Sequence, residues 1–338
     1  MTPHVLVARL DNAGDVLLAG PAVRAVAAGA RHVTMLCSRA GAPAAALLPG
    51  VDDVITFDAP WVGFDPPSVD RDAVNGLVDQ LAELAVDEAC ILTSFHQSPL
   101  PLALLLRLAG VVRIAAHSVD YPGRLLDVRH APPEGHEVER ALSIVGSLGH
   151  ALPVGDDGHL AVRRPLPPPP PSLPAGPYVV VHPGASVPAR AWPAERAQRL
   201  VELLAGEGHA VVVTGGRDER ELTARVAGRR AVDLGGAVDL AGLAAVLDGA
   251  SSLVVGNTGP AHLAAAVGTP VISIFAPVVP SSGWHPWRVP TVVLGDQEIH
   301  CAGCRSRTCP VPEQPCLRDV TPERVLQVVR AFDKALVA

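Results

Sequence analysis

Lysine is almost missing from this chain: of 338 residues and 27 basic side chains, only Lys334 is lysine. A pyridoxal-phosphate enzyme needs an internal lysine for its Schiff base, and one so near the C-terminus argues against a phosphorylase of that kind. Aromatic residues are scarce too, at 3%, so Ala, Val and Leu must fill the interior. A net charge of −7 leaves no basic field for nucleic acid. Long apolar runs are absent. The most apolar helical stretch, "PLPLALLLRLAG" at 99–110, is too short to span a bilayer and contains Arg107. The start, "PHVLVARLDNAGD", lacks the basic, apolar and small-residue regions of a signal peptide. What is abundant is apolar residue content, 49% against 18% charged, which argues against disorder. The expectation is a cytoplasmic protein with no transmembrane segment and no nucleic-acid partner.

The first half alternates strand-like runs, "HVLVARL" (4–10), "HVTMLC" (32–37), "DVITF" (53–57), "EACILT" (88–93) and "VVRIAA" (111–116), with helix-length segments. The first of these segments, "GDVLLAGPAVRAVAAG", reads as one helix. Such alternation predicts a parallel sheet covered by helices on both faces. The proline-rich "RRPLPPPPPSLPAGP" (163–177) interrupts it and reads as a linker, since proline cannot donate ladder hydrogen bonds. The pattern then restarts with "YVVVHPG" (178–184), "HAVVVTGG" (209–216), "AVDLG" (231–235), "SLVVGN" (252–257) and "PVISIF" (270–275). The expected organisation is α/β, with two doubly wound Rossmann-like domains facing across a cleft. They span 1–162 and 178–320, and a C-terminal helical segment, 321–338, returns to the N-terminal domain.

Two turns stand out. In "NTGPAHLAAAVGTP" a strand ends and Asn257 or Thr258 caps the next helix, with Pro260 in its first turn. Gly259 permits close backbone approach, so the free N–H groups of this helix start suit a diphosphate. His262, four residues after Thr258, lies on the same side and can donate to a phosphate oxygen; the alternative is a core histidine satisfied by a carbonyl. In "RLDNAGDVLLAG" (9–20), Asp11, Asn12, Gly14 and Asp15 precede a helix without forming a G-x-G-x-x-G fingerprint. From spacing alone, Asp15 is equally a helix cap or a functional carboxylate.

Together with "HPGASVPARAWPAERAQRL" (182–200) and "VVVTGGRDERE" (211–221), these turns resemble glycosyltransferase family 9, the heptosyltransferase family. The resemblance covers nearly the whole chain. It implies a GT-B fold and inverting transfer of a sugar, heptose or related, from an ADP- or GDP-linked donor to a hydroxyl acceptor. In that reading Asp15 is the general base, because a carboxylate is ionised at neutral pH and can accept a hydroxyl proton. Arg190, Thr258, Gly259 and His262 fall at donor phosphate positions, with Asn257 beside them. Asp218 and Glu219 are the two candidates for the ribose, and Asn12, Gly14 and Gly215 complete the donor-binding set. The acceptor is a glycan, a lipopolysaccharide-type molecule or a secondary metabolite, with peripheral membrane association consistent with the lipid-linked case. The alternatives are a sugar-nucleotide epimerase of similar fold and a non-catalytic sugar-nucleotide binding protein.

No cofactor is required by this chemistry. Asp70 and Asp72 form an Asp-x-Asp that some transferases use for Mg²⁺, but helix capping accounts for it better. Cys301, Cys304, Cys309 and Cys316 are spaced C-x₂-C-x₄-C-x₆-C, which admits a structural Zn²⁺ or iron–sulfur cluster, against free thiols or disulfides. Cys37 and Cys90 sit in apolar strands and are expected in the core.

Overall fold

The computed structural model describes residues 2–94, 97–131 and 133–337, with side chains up to residue 334. Ala338, the last residue of the expected C-terminal segment, lies outside them. The chain forms two compact units that divide between Arg163 and Arg164. Both sides of the division are tied down. The Arg163 amide donates to the Leu47 carbonyl at 2.7 Å, and the Arg164 guanidinium pairs with Asp248 at 2.6 Å.

The first unit is built on six parallel strands, β1 (His4–Arg9), β2 (His32–Cys37), β3 (Asp53–Thr56), β4 (Glu88–Ile91), β5 (Arg113–His117) and β6 (Val128–His130), in the order β3-β2-β1-β4-β5-β6. The central strand β1 is buried along its whole length, which is why its run of Val, Leu and Ala shows no alternation. Helices α1 (Ala13–Leu18), α2 (Gly20–Ala27), α3 (Ala42–Leu47), α4 (Arg71–Glu83), α5 (Leu100–Leu108) and α6 (Glu137–Ser147) cover the sheet. Leu6, Leu36, Leu81, Leu106 and Ile114 form the heart of the core on one side of it.

The expected single helix after β1 is two. Pro21 has no N–H to give and its ring would crowd the carbonyl one turn back, so the chain tightens at Ala19, whose amide donates to Val16 at 3.1 Å, and restarts as α2. Asp70 caps α4 by accepting from the Ala73 amide at 2.9 Å, the capping role expected for the Asp-x-Asp pair.

The second unit repeats the design. Its strands β7 (Tyr178–His182), β8 (Ala210–Val213), β9 (Val232–Asp233), β10 (Ser252–Gly256), β11 (Val271–Ile274) and β12 (Thr291–Leu294) run parallel in the order β12-β11-β10-β7-β8-β9. Counted from its own first strand, this is the doubly wound 3-2-1-4-5-6 order of the first unit. The helices are α7 (Ala194–Gly206), α8 (Arg220–Ala227), α9 (Leu240–Asp248), α10 (Gly259–Val267), α11 (Ser281–Trp284) and α12 (Pro322–Val337). The closing helix packs on the core of this unit. Val325, Leu326 and Val329 of α12 enter the second core beside Leu200, Val201 and Leu204 of α7. No helix among the described residues is long and apolar enough to cross a membrane. Cys37 and Cys90 are core residues, and burial pushes both thiols up to about 12.

Two histidines sit buried at the carboxyl ends of strands, His117 on β5 and His182 on β7. Burial lowers the His182 pKa to about 4, and burial with Arg140 and His130 nearby does the same for His117. Both are therefore neutral in the folded protein at pH 7. The unfolded chain binds protons first as pH falls, near the ordinary 6.5, so this stability is complete above 6.5 and lost as pH falls through about 4. Acidification from pH 7 to pH 5 is expected to cost about 2 kcal/mol through His182 alone. Denaturant unfolding at the two pH values checks this: His182→Asn should lose less stability than the parent, and an equal loss contradicts the burial argument.

Candidate functional site

In a doubly wound sheet, strands leave the centre in opposite directions, and the crevice at that switch lies at the carboxyl ends of the two central strands. In the first unit these are β1 and β4. Strand β1 ends at Arg9, and the chain turns through Asp11 and Asn12 into α1. Asn12 holds the N-cap position with an exposed side chain that makes no cap bond, and Asp15 stands in the first turn. Asp15 is not the cap.

Instead its Oδ1 accepts from the Arg9 guanidinium at 3.0 Å. Arg9 is buried, and the same guanidinium meets Asp11 at 2.8 Å, Glu137 of α6 at 3.1 Å and the Ser94 hydroxyl at 2.9 Å. Burial works against the Arg9 charge, but Asp11, Asp15 and Glu137 together overcome it and hold the group above its ordinary pKa. Asp11 carries the opposite strain. Burial pushes it up to about 6, with the Arg9 charge and a 2.5 Å bond from Gln97 pulling the other way. Glu137 receives a second cation, Arg140, at 3.2 Å. The sum is two guanidinium groups against three carboxylates. Gly14 is buried in α1, next in sequence to Asp15.

The corresponding switch in the second unit lies between β7 and β10. Asn257 and Thr258 follow β10 and lead into α10, whose N-cap is Thr258. Thr258 makes no side-chain cap bond; Pro260 has no N–H, and the Ala261 amide donates to the Thr258 carbonyl at 3.0 Å. Asn257 is buried, 4% exposed, and its Nδ2 has no hydrogen-bond partner among the described residues. Leaving a buried amide donor unmatched costs about 1–3 kcal/mol unless a ligand supplies an acceptor. His262, 4% exposed, lies on the first turns of the same helix.

At the end of β7, His182 Nδ1 lies 3.0 Å from the Thr214 hydroxyl. Glu219 folds back over this strand end: its Oε2 accepts from the Gly216 amide at 2.7 Å. Gly184 makes room for it, since a Cβ there would come 1.9 Å from Glu219 Oε1. A Cβ on Gly215 would likewise meet Thr223 at 2.5 Å. Asp218, by contrast, is exposed. The structure thus separates the two acidic candidates, with Glu219 half-buried at the sheet edge and Asp218 turned to solvent.

Arg190 belongs to a short turn, 188–190, that the cysteine-bearing loop grips from both sides. The Ala189 amide donates to the Arg307 carbonyl at 3.0 Å, and the Gln314 side-chain amide donates to the Ala189 carbonyl at 2.6 Å. Gln314 and Glu313 make this reach in left-handed conformations, φ 45° and 63°. At Cys301, Cys304, Cys309 and Cys316, where a structural metal stood as one option against free thiols or disulfides, the structure has free thiols. Among the described residues no three His, Cys, Asp or Glu side chains come together as a metal site. Cys309 and Cys316 instead pack on the apolar core, and burial together with the neighbouring thiols pushes Cys316 up to about 11. These two thiols act as apolar anchors of the loop.

Arg9, Glu137, His182 and Gln314 were not among the residues singled out from sequence. Arg9 had a signal, an arginine closing an otherwise apolar strand two residues before an aspartate. Glu137 had none, because it lies 128 residues away and only the fold brings it to Arg9.

The model of glycosyltransferase family 9 (heptosyltransferase) matches residues 124–314. Lipopolysaccharide heptosyltransferase 1 of Pseudomonas aeruginosa is 33% identical over 213 residues, covering 58% of this chain and 55% of that protein. The chain thus spans about half the length of that relative. The solved structure of Escherichia coli ADP-heptose lps heptosyltransferase II superposes with a TM-score of 0.74 at 19% identity over the whole of both chains. Escherichia coli heptosyltransferase WaaC with ADP-2-deoxy-2-fluoro heptose gives 0.69 at 21%, covering 97% and 99%. The architecture is that of these GT-B proteins, and the chain belongs to glycosyltransferase family 9, the heptosyltransferase family.

Proposed function

We propose that this protein is an inverting glycosyltransferase that moves a heptose or related sugar from an ADP-linked donor to a hydroxyl acceptor in the cytoplasm. The observation that carries the reading is Asp15, held at the switch point of the first sheet by a buried arginine. In the reaction the acceptor oxygen bonds to the anomeric carbon as its proton passes to Asp15. The bond from that carbon to the diphosphate oxygen breaks, and the nucleoside diphosphate leaves with the electron pair. Its charge is received by the start of α10, by His262, Thr258 and Gly259, and by Arg190. Asn257 Nδ2 donates to a donor oxygen, and Glu219 rather than Asp218 takes the ribose hydroxyls, since it already lies over the β7 edge beside Gly215. Support for ADP comes from two structural relatives, Escherichia coli ADP-heptose lps heptosyltransferase II and Escherichia coli heptosyltransferase WaaC with ADP-2-deoxy-2-fluoro heptose. The reading asks for no metal.

Asp15→Asn is expected to lower transfer by about two to four orders of magnitude, the range for loss of a general base, while ADP affinity by calorimetry stays at the parental value. Unchanged transfer would remove Asp15 from the chemistry, and a binding protein would show ADP affinity with no transfer in either form.

Gln314→Ala is expected to raise the donor KM roughly three- to ten-fold with little change in kcat, because one hydrogen bond steadying the Arg190 turn is lost. Gln314→Glu keeps the shape but cannot donate to the Ala189 carbonyl, so it should not rescue. Parental KM in both variants would show that the loop does not steady Arg190.

A further inference from the structure

We infer that Gly184 is a specificity-determining residue of the donor site. Its missing side chain lets the Glu219 carboxylate lie at the end of β7 as an acceptor for two neighbouring hydroxyls, so that the site prefers a nucleoside diphosphate with an intact ribose diol. This rests on the proposed function for the identity of the ligand and adds the residue that sets the selectivity.

Two loops meet at this point. One leaves β7 through Pro183 and Gly184, and the other leaves β8 through Thr214, Gly215 and Gly216 and carries Glu219 in the short turn 217–219. A Cβ on Gly184 would come 1.9 Å from Glu219 Oε1, 2.3 Å from Cδ and 2.6 Å from Oε2, so it would overlap the whole carboxyl group. These three are the atoms nearest to that position, so the notch is shaped to this one side chain. A Cβ on Gly215 would crowd Oε2 as well, at 3.1 Å. Neither glycine has a left-handed backbone, so conformational freedom does not account for them. Space for Glu219 does.

The carboxylate is held but not used up. Its Oε2 accepts from the Gly216 amide at 2.7 Å, the one hydrogen bond of this carboxylate among the described residues. The one basic group within ion-pair distance there is His182, whose Nε2 lies 3.9 Å from Oε2 and which burial keeps neutral at pH 7. A carboxylate has about four acceptor sites on two oxygens, and the Gly216 amide takes one. With its side chain 24% exposed, Glu219 still offers the others to a ligand. Two hydroxyls on adjacent carbons can donate to them in charge-assisted hydrogen bonds. A ligand lacking those hydroxyls would cover the carboxylate and leave it unpaired, which is costly.

Calorimetry on the full chain with ADP and 2′,3′-dideoxy-ADP tests this. The parent should bind ADP at least about ten-fold more tightly than the dideoxy compound. Gly184→Ala and Glu219→Ala should each bring the two affinities to within about three-fold, through weaker ADP binding, and leave dideoxy-ADP bound as by the parent. In the Glu219→Ala background Gly184→Ala should have no further effect on folding or on either affinity, because the atoms it displaces are gone. Parental ADP preference in Gly184→Ala overturns the inference, as does an effect of Gly184→Ala that is equally large in both backgrounds. A parent that binds both compounds equally overturns the inference alone. A parent that binds no ADP overturns the donor reading and the inference with it.

Discussion

A buried guanidinium organises the first unit. Arg9 ends the central strand, lies 4% exposed in its side chain, and holds Asp11, Asp15 and Glu137 within 3.1 Å. Removing one partner of such a buried set typically costs about 3–5 kcal/mol, since the charge left behind has no water to solvate it. The three carboxylates come from the turn after β1, the first turn of α1 and the start of α6, so one side chain fixes the mutual placement of three elements. A fork of five donors in a rigid plane can do this; a single ammonium cannot. The consequence for chemistry is orientation. Asp15 is held by an ion pair rather than left to sample rotamers on an open helix start.

The second unit solves a different problem with the same topology. Around its switch point stand the start of α10, Asn257 Nδ2 and the turn that carries Arg190, with the Glu219 carboxylate over the end of β7. The cysteine loop acts as a brace. Cys309 and Cys316 pack against the core, and the loop's backbone and Gln314 hold Ala189 from both sides.

Much of the fold was legible in the residues because buried parallel strands are short, β-branched and bounded by turn formers. The ten runs read as strands correspond to β1–β5 and β7–β11. Edge strands were the ones overlooked. β6 is three residues with one buried neighbour strand, and β12 follows Pro290 with only partial burial, so neither carries a full apolar run. Helix α6 was hidden by its start, where His136 takes the place usually filled by Ser or Thr, accepting from the Val138 amide while Glu139 closes the box.

The candidate site was legible only where it is local. Asp15 and the α10 turn lie within contiguous motifs, whereas the Arg9–Glu137 pair joins residues far apart in sequence. The cysteine spacing left metal, disulfides and free thiols open for a related reason, since spacing records only proximity along the chain. Of the two acidic residues after β8, the order in sequence is uninformative; the glycine at 184, which only a side chain folded over it explains, separates them.

The most direct test of the central claim is the rate of sugar transfer by Arg9→Lys, taken together with ADP affinity and the unfolding transition. Lysine keeps the charge but loses the fork, so the account predicts a folded protein with parental ADP affinity and transfer lowered at least about 100-fold through misorientation of Asp15. A folded Arg9→Lys protein that transfers sugar at the parental rate would contradict it.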